Sequence, residues 1–289
     1  MTLLSAIMVA AATSCVKAPY MGAVAVDAAD GRVIMADNAG AMCYPASCTK
    51  LMTLLLALEA VEKGVVALGD IVPITELSEK EKPSRIDFAH PSGMTLDDLL
   101  KALMVKSANN GAVMIAEHVA SRMHPGATNS VMRLDAFIGD MNRRAKELGM
   151  DETKFTSPNG YPPDPSSKRE FDRSTAFDMA KLGREVVRHP KALEYTSLEV
   201  CRVKETNGGK LHVYKTHNKL LLTGSKYKLE GVDGLKTGFH NAGGCSLVLT
   251  ATNRVGRRAI VAVMGSPSGA DRDSAAYRFM VDALKSLEL

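Results

Sequence analysis

The chain has no tryptophan, and tyrosine and phenylalanine together make up only 5% of its 289 residues. It also has no run of about twenty apolar residues, the length that a membrane-spanning helix requires, so we expect no transmembrane anchor. The seven histidines form no H-E-x-x-H motif and the five cysteines form no C-x-x-C pair, so the sequence does not indicate a metal site. The net charge of only +4 gives no indication of nucleic-acid binding.

The first fourteen residues carry no charge, are mostly apolar and end in small residues. They resemble the apolar core and cleavage end of a signal peptide, although the basic residues that normally precede such a core are missing. We therefore expect residues 1–19 to be a leader-like segment and the protein to be exported, to the periplasm or another extracytoplasmic compartment. Cys15, directly after Ala12-Thr13-Ser14, leaves open a lipoprotein cleavage site, and a short buried N-terminal helix is the alternative.

Patterns typical of β-strands lie at both ends of the remaining chain. Residues 21–26 and 32–36 indicate a hairpin, and residues 244–252 and 258–264 alternate and are rich in β-branched side chains. The sequence predicts an α+β fold in which an antiparallel sheet, built from both chain ends, carries flanking helices and a mainly helical insert. Because no repeat, linker or low-complexity stretch divides residues 20–289, we expect one domain without a separate C-terminal β domain.

Helix start and stop signals divide the insert. Thr95 is expected to cap a helix that ends near Lys106, with Asp98 as the acid of a capping box, and Ser174 to cap a helix that Pro190 ends. Residues 195–230 are expected to be polar strands or loops. Further helices are predicted over residues 47–63, 111–122, 131–148 and 271–287.

Three short motifs point to chemistry, and the first is Ser47-Cys48-Thr49-Lys50, of the form S-x-x-K. On a helix, residues three apart lie on the same face, where a desolvated lysine can be neutral and take the serine proton. The motif alone is weak, because Ser14–Lys17 and Ser225–Lys228 also match it. An N-cap serine beside a surface lysine would also have this pattern.

The other two motifs are Ser107-Ala108-Asn109, of the form S-x-N, and Lys236-Thr237-Gly238, of the form K-T-G. S-x-N is weak as well, because Ser157–Asn159 repeats it, whereas K-T-G occurs once. A glycine on a strand lets another backbone approach closely, and a lysine and a hydroxyl just before it can hold a carboxylate. By itself, the S-x-N motif is also typical of a helix cap or a turn, and the K-T-G motif of a turn at the end of a strand.

With their flanking residues, the three motifs resemble the low-molecular-mass penicillin-binding proteins, the D-alanyl-D-alanine carboxypeptidases related to penicillin-binding protein 5. The resemblance rests on Tyr44–Thr53, Leu99–Asn110 and Gly231–Phe239, which contain the motifs in one order, and it covers residues 20–288. It implies the fold of the serine β-lactamases and transpeptidases.

The resemblance also implies the reaction. Ser47 would attack a stem peptide of peptidoglycan that ends in D-Ala-D-Ala, with Lys50 as general base and Ser107 relaying a proton to the leaving amine. D-Ala would leave and water would hydrolyse the acyl-enzyme. β-Lactam antibiotics would acylate the same serine, and no cofactor would be needed.

The remaining motif residues would bind substrate. Asn109 would hydrogen-bond the acyl-side amide, and the backbone N–H groups of Ser47 and Phe239 would form the oxyanion hole. In the K-T-G motif Lys236-Thr237-Gly238, the lysine and the threonine would bind the terminal carboxylate. Arg258 is expected to assist them.

Several other functions stay open at this point. A D,D-endopeptidase of the same family would cut peptidoglycan cross-links with the same residues, and a penicillin-sensing domain would be acylated without turnover. A general serine esterase would give the K-T-G motif and Arg258 no evident purpose. A class A β-lactamase is disfavoured, because no glutamate between the second and third motifs has asparagine four residues later.

Overall fold

The computed structural model describes residues 18–89, 92–162, 170–206 and 208–288. The predicted leader-like segment therefore lies almost entirely, and Cys15 entirely, outside the described residues. Within the described residues, no helix combines the length and the apolar character needed to cross a membrane.

Five strands form the central antiparallel sheet. They are β1 (Gly22–Asp27), β2 (Val33–Asp37), β7 (Val232–His240), β8 (Gly244–Thr252) and β9 (Arg258–Ser266), and they lie in the spatial order β2-β1-β9-β8-β7. Strand β1 pairs with β9 along its whole length, which confirms the prediction of a sheet built from both chain ends. Two small two-stranded antiparallel sheets pair β3 (Ile71–Pro73) with β4 (Gly93–Thr95) and β5 (Val200–Lys204) with β6 (Leu211–Lys215).

The helices fill the middle of the chain and its C-terminal end. They are α1 (Lys50–Glu62), α2 (Glu76–Lys80), α3 (Leu96–Val105), α4 (Asn109–Met123), α5 (Ser130–Glu147), α6 (Ala176–Val186), α7 (Pro190–Thr196) and α8 (Gly269–Ser286). Alternate side chains of the sheet pack into two cores. Val24 and Ile260 join a large core with α1 and α3 to α6, whereas Ala23 and Val261 join a smaller core with α8. Because helices cover both faces, β9 is apolar along most of its length.

Side-chain caps set most helix starts. As predicted, Thr95 Oγ1 accepts a hydrogen bond from the Asp98 N–H at 3.2 Å, but the Asp98 carboxylate accepts from the Lys204 N–H, 3.0 Å away. The prediction for Ser174 is wrong by one residue: Thr175 caps α6, because the Ser174 backbone pairs with Cys43 in an isolated bridge.

The region after α6 differs more from the prediction. Pro190 begins α7 at its first position, where its missing N–H costs nothing, and α6 already ends at Val186. The β5–β6 hairpin then occupies part of the region that was predicted as polar strands or loops.

Candidate active site

All three sequence motifs meet at one cavity of about 550 Å³ between the start of α1, the α3–α4 junction and the edge strand β7. The cavity is lined by Ser47, Pro83, Ser84, Lys106, Ser107, Asn109, Tyr161, His217, Thr237, Gly238, Phe239 and Arg272. Lys50 and Lys236 are buried beside the cavity. Lys50 is hydrogen-bonded to Ser47, and Lys236 is hydrogen-bonded to its neighbour in the chain, Thr237. The tertiary structure thus brings together residues that are up to 225 positions apart (272 − 47).

Ser47 lies in a 3-10 turn, Ala46–Thr49, rather than in the α-helix that the sequence predicted to start there. The α-helix begins at Lys50. A second turn packs closely against this one: a Cβ at Gly160, whose φ is +72°, would lie only 1.8 Å from the Ala46 carbonyl oxygen. The chain before Lys50 is therefore shaped by a close backbone contact as well as by its own helical preference.

Lys50 is fully buried, and its Nζ has three hydrogen-bond partners. These are Ser47 Oγ at 3.0 Å, Asn109 Oδ1 at 2.7 Å and the Asn159 carbonyl oxygen at 2.6 Å. A neutral amine has two N–H groups and one lone pair, so it can donate to Asn109 and Asn159 and accept the Ser47 hydroxyl proton. Burial, followed by the nearby Lys236 charge, holds the pKa of Lys50 well below its usual range. The arrangement suits a general base.

Ser107 and Asn109 occupy the break between α3 and α4. Ser107 lines the cavity with a left-handed φ of +63°, an uncommon conformation for a residue with a side chain. The Asn109 N–H donates to the Ser84 carbonyl at 2.6 Å, and Asn109 Nδ2 donates to the Lys82 carbonyl at 3.3 Å. Asn109 is therefore held between Lys50 and the segment before β4.

Strand β7 brings the K-T-G motif against the turn that carries Ser47. A Cβ at Gly238 would lie 2.6 Å from the Pro45 carbonyl oxygen, so glycine permits this approach. Thr237 and Phe239 line the cavity, and the buried Lys236 Nζ donates to the Thr237 carbonyl at 2.9 Å. Burial lowers the pKa of Lys236 to about 8, the Cys48 thiol opposes this shift, and the Arg272 charge adds to it.

The structure corrects the prediction for Arg258. The Arg258 guanidinium makes two 2.7 Å hydrogen bonds to the Asp233 carboxylate and a third, of 2.9 Å, to Thr250 Oγ1. It is absent from the residues that line the cavity. Arg272, in the first turn of α8, lines the cavity instead, and its Nε and Nη2 bond to Asp273 Oδ1 at 2.8 and 2.7 Å.

Sequence reasoning missed Asn159 and six of the residues that line the cavity, which are Pro83, Ser84, Lys106, Tyr161, His217 and Arg272. Arg272 lies in no recognisable motif, and only the packing of α8 against β8 and β9 brings it to the cavity. Asn159 contacts Lys50 through its backbone carbonyl, and its only sequence signal was the second S-x-N match, Ser157–Asn159, which is weak by itself.

A second cluster of ligand-type side chains lies away from this cavity. Atoms of Glu59, Glu185 and His189 that could bind a metal lie within 4.8 Å of one another. However, Arg144 Nη2 lies 2.8 Å from Glu59 and 2.7 Å from Glu185. Arg144 thus already pairs with both carboxylates, so the cluster is explained as an ion-pair network.

Comparison with known proteins gives a consistent picture. The model of the Peptidase S11 family, described as D-alanyl-D-alanine carboxypeptidase, matches residues 10–268. The chain is 29% identical over 267 residues to the D-alanyl-D-alanine carboxypeptidase DacF of Bacillus subtilis (strain 168), a match that covers 92% of this chain and 62% of DacF. The chain thus spans about three-fifths of the length of such curated relatives.

Solved structures show the same fold. A serine-to-alanine mutant of the Streptomyces K15 DD-transpeptidase superposes with a TM-score of 0.81 at 24% identity, covering 92% of this chain and 98% of that one. Penicillin binding protein 5 from Haemophilus influenzae gives a TM-score of 0.76 at 27% identity, covering 91% and 70%. These likenesses confirm the predicted α+β fold.

Proposed function

The chain belongs to the Peptidase S11 family of D-alanyl-D-alanine carboxypeptidases, and we propose that it is a serine D,D-carboxypeptidase that removes the terminal D-Ala from peptidoglycan stem peptides. The observation that carries this proposal is the contact of 3.0 Å between Ser47 Oγ and the buried Lys50 Nζ. A neutral lysine at this distance can accept the hydroxyl proton as the serine attacks.

In the proposed acylation, Ser47 Oγ attacks the carbonyl carbon of the penultimate D-Ala while its proton passes to Lys50. The peptide bond then breaks, and Lys50 returns its proton through Ser107 to the amine of the terminal D-Ala. Water hydrolyses the resulting ester, with Lys50 again taking a proton. A β-lactam ring would open by the same attack, and because its amine stays attached, the acyl-enzyme would persist.

We assign the substrate contacts from the lining of the cavity. The backbone N–H groups of Ser47 and Phe239 are proposed as the oxyanion hole, because β7 lies directly against the turn of Ser47. Thr237 and Arg272, which line the cavity, are proposed to bind the terminal carboxylate together with the buried Lys236 next to Thr237 in the chain, with Arg272 taking the role that the sequence assigned to Arg258. A carboxylate accepts strong hydrogen bonds from such cationic donors.

Export of the protein is part of the same proposal. Its proposed substrate lies in the cell wall, outside the cytoplasm, and residues 1–14 resemble the apolar part of a signal peptide. Fractionation of cells that produce the full chain would test this. Recovery of the protein in the cytoplasmic fraction alone would contradict it.

The activity is tested by measuring D-Ala release from diacetyl-L-Lys-D-Ala-D-Ala, together with labelling by a fluorescent penicillin. Release and labelling that both disappear in Ser47→Ala are the expected result. Labelling without D-Ala release would favour the endopeptidase or penicillin-sensing alternatives. Absence of both from the wild-type protein would overturn the proposal.

A further inference from the structure

The segment that follows α2, residues 81–84, contacts the site through hydrogen bonds to two asparagines. Its Glu81 Oε2 accepts a hydrogen bond from Asn159 Nδ2 at 2.8 Å. The carbonyl groups of Lys82 and Ser84 accept from the side chain and backbone of Asn109. Both Asn109 and Asn159 in turn accept hydrogen bonds from Lys50. The segment therefore holds two of the three groups that contact the Lys50 nitrogen.

Asn159 is the link between Glu81 and Lys50. It is buried, with 3% of its surface exposed, and each polar group of its side chain has a partner. Its Nδ2 donates to Glu81, and its Oδ1 accepts from the Tyr161 N–H at 2.9 Å. These bonds fix the turn whose carbonyl oxygen lies 2.6 Å from Lys50 Nζ. A change at Glu81 is therefore transmitted to Lys50 through a single residue.

Glu81 also acts on Lys50 through its charge. Burial lowers the pKa of Lys50 most, the positive charge of Lys236 on β7 lowers it further, and Glu81 is the strongest influence that raises it. Two weaker ones, Cys48 in the 3-10 turn and Asp172 in the segment before α6, also raise the pKa of Lys50. The charge of Glu81 thus opposes the effect of Lys236 on the pKa of Lys50.

We propose that Glu81 is a positioning residue for acylation: its carboxylate fixes the Asn159 turn against Lys50 and supplies the negative charge that counters Lys236. This inference rests on the proposed function, because it assigns Lys50 the role of general base. Glu81 is not among the residues that line the cavity, so its effect on the reaction runs through Asn159 and through the electric field at Lys50.

The substitution Glu81→Gln separates charge from geometry, because a glutamine oxygen can still accept the Asn159 hydrogen bond. The rate of acylation by a fluorescent penicillin is measured across pH for the full chain. Without the negative charge, Lys50 loses its proton more readily. The acidic limb of the profile of acylation rate against pH, where the rate rises as Lys50 loses its proton, is therefore expected to move to lower pH by on the order of half a unit. At a pH on that limb, Glu81→Gln then reacts about threefold faster than the wild type.

Two further variants complete the experiment. Glu76→Gln removes the same charge from α2, where the carboxylate is exposed and pairs with Lys80, and it is expected to leave the acidic limb in place. Glu81→Ala removes the hydrogen bond as well as the charge, so it is expected to slow acylation at every pH. Thermal unfolding of each variant shows whether it is folded.

The outcomes are distinct. An acidic limb of Glu81→Gln that coincides with that of the wild type, or moves to higher pH, overturns the inference while the proposed function stands. The inference is also overturned if Glu81→Gln and Glu81→Ala slow acylation equally and neither moves the acidic limb of the pH profile, because Glu81 would then be only structural. A wild-type protein that neither acylates nor releases D-Ala would overturn the proposed function and this inference with it.

Discussion

Lys50 Nζ lies 3.0 Å from Ser47 Oγ although the two residues belong to different kinds of helix. Ser47 is in a 3-10 turn, and Lys50 is the first residue of α1. The 3-10 turn keeps the serine at the cavity, and α1 carries the lysine into the core. One side chain is therefore accessible to substrate while the other is shielded from water.

The first prediction concerns the proton acceptor. Lys50→Arg places a guanidinium that stays charged at all accessible pH values, so it cannot take the Ser47 proton. Acylation by a fluorescent penicillin should fall by about 10²–10⁴-fold, the usual contribution of general base catalysis. Lys63→Arg, exposed at the other end of α1, serves as control and should react like the wild type. A Lys50→Arg variant within tenfold of the wild type would exclude this role for Lys50.

The second prediction concerns pH. The proposed reaction needs Lys50 neutral, and the pKa of Lys50 is well below its usual range, so kcat/KM should rise with pH until Lys50 has lost its proton. It also needs Lys236 charged, and the pKa of Lys236 is about 8, so kcat/KM should fall as pH passes that value.

The two limbs can be separated by one variant. Lys236→Arg keeps its charge at high pH, so the fall above about pH 8 should disappear while the acidic limb stays. A bell-shaped profile that persists unchanged in folded Lys236→Arg would show that another group causes the basic limb. The measurement is D-Ala release from a peptide with a free terminal carboxylate.

The third prediction distinguishes the two arginines. Arg272→Gln removes a cation from the cavity lining, so kcat/KM for D-Ala release should fall by about 10- to 100-fold, as expected for a hydrogen bond to a charged group. Arg258→Gln breaks the pair with Asp233, which is partly exposed, and should cost about 1 kcal/mol of unfolding free energy. Its kcat/KM should stay within about twofold of the wild type, since an outlying ion pair contributes little to binding.

A substrate with an amidated C-terminus gives the control for this pair. It lacks the carboxylate that Arg272 is proposed to bind, so Arg272→Gln should affect the amide much less than the acid. Equal losses on both substrates would mean that the substitution acts through protein stability, for example through the buried Asp273 that it leaves unpaired.

The fourth prediction concerns the contact of two turns. Gly160→Ala would place a Cβ 1.8 Å from the Ala46 carbonyl at a φ of +72°, so it should lower the unfolding free energy by more than about 2 kcal/mol and slow acylation. Gly64→Ala has a similar φ of +67° but no atom within 4 Å. It should cost only about 1 kcal/mol and leave acylation intact. Similar effects of both substitutions on acylation would contradict the proposed role of the contact.

Local sequence signals were sufficient where neighbours in the chain decide the structure. Thr95 caps α3 through a bond to the residue three positions on, and the two strands predicted near the C-terminal end are found as β8 and β9. The same signals were misleading where a distant segment intervenes. Ser174 has the right chemistry for a cap, but its pairing with Cys43 moves the cap to Thr175.

The sequence by itself determined the family, the three motifs and the α+β class, because these depend on residue types at fixed spacing. Only the tertiary structure decided which arginine reaches the cavity, since Arg258 pairs with Asp233 on the sheet while α8 delivers Arg272. It alone revealed the bond from Lys50 to the Asn159 carbonyl. The physical reason is that every residue type offers a backbone carbonyl, and that the arginine at the cavity is selected by packing between elements far apart in the chain.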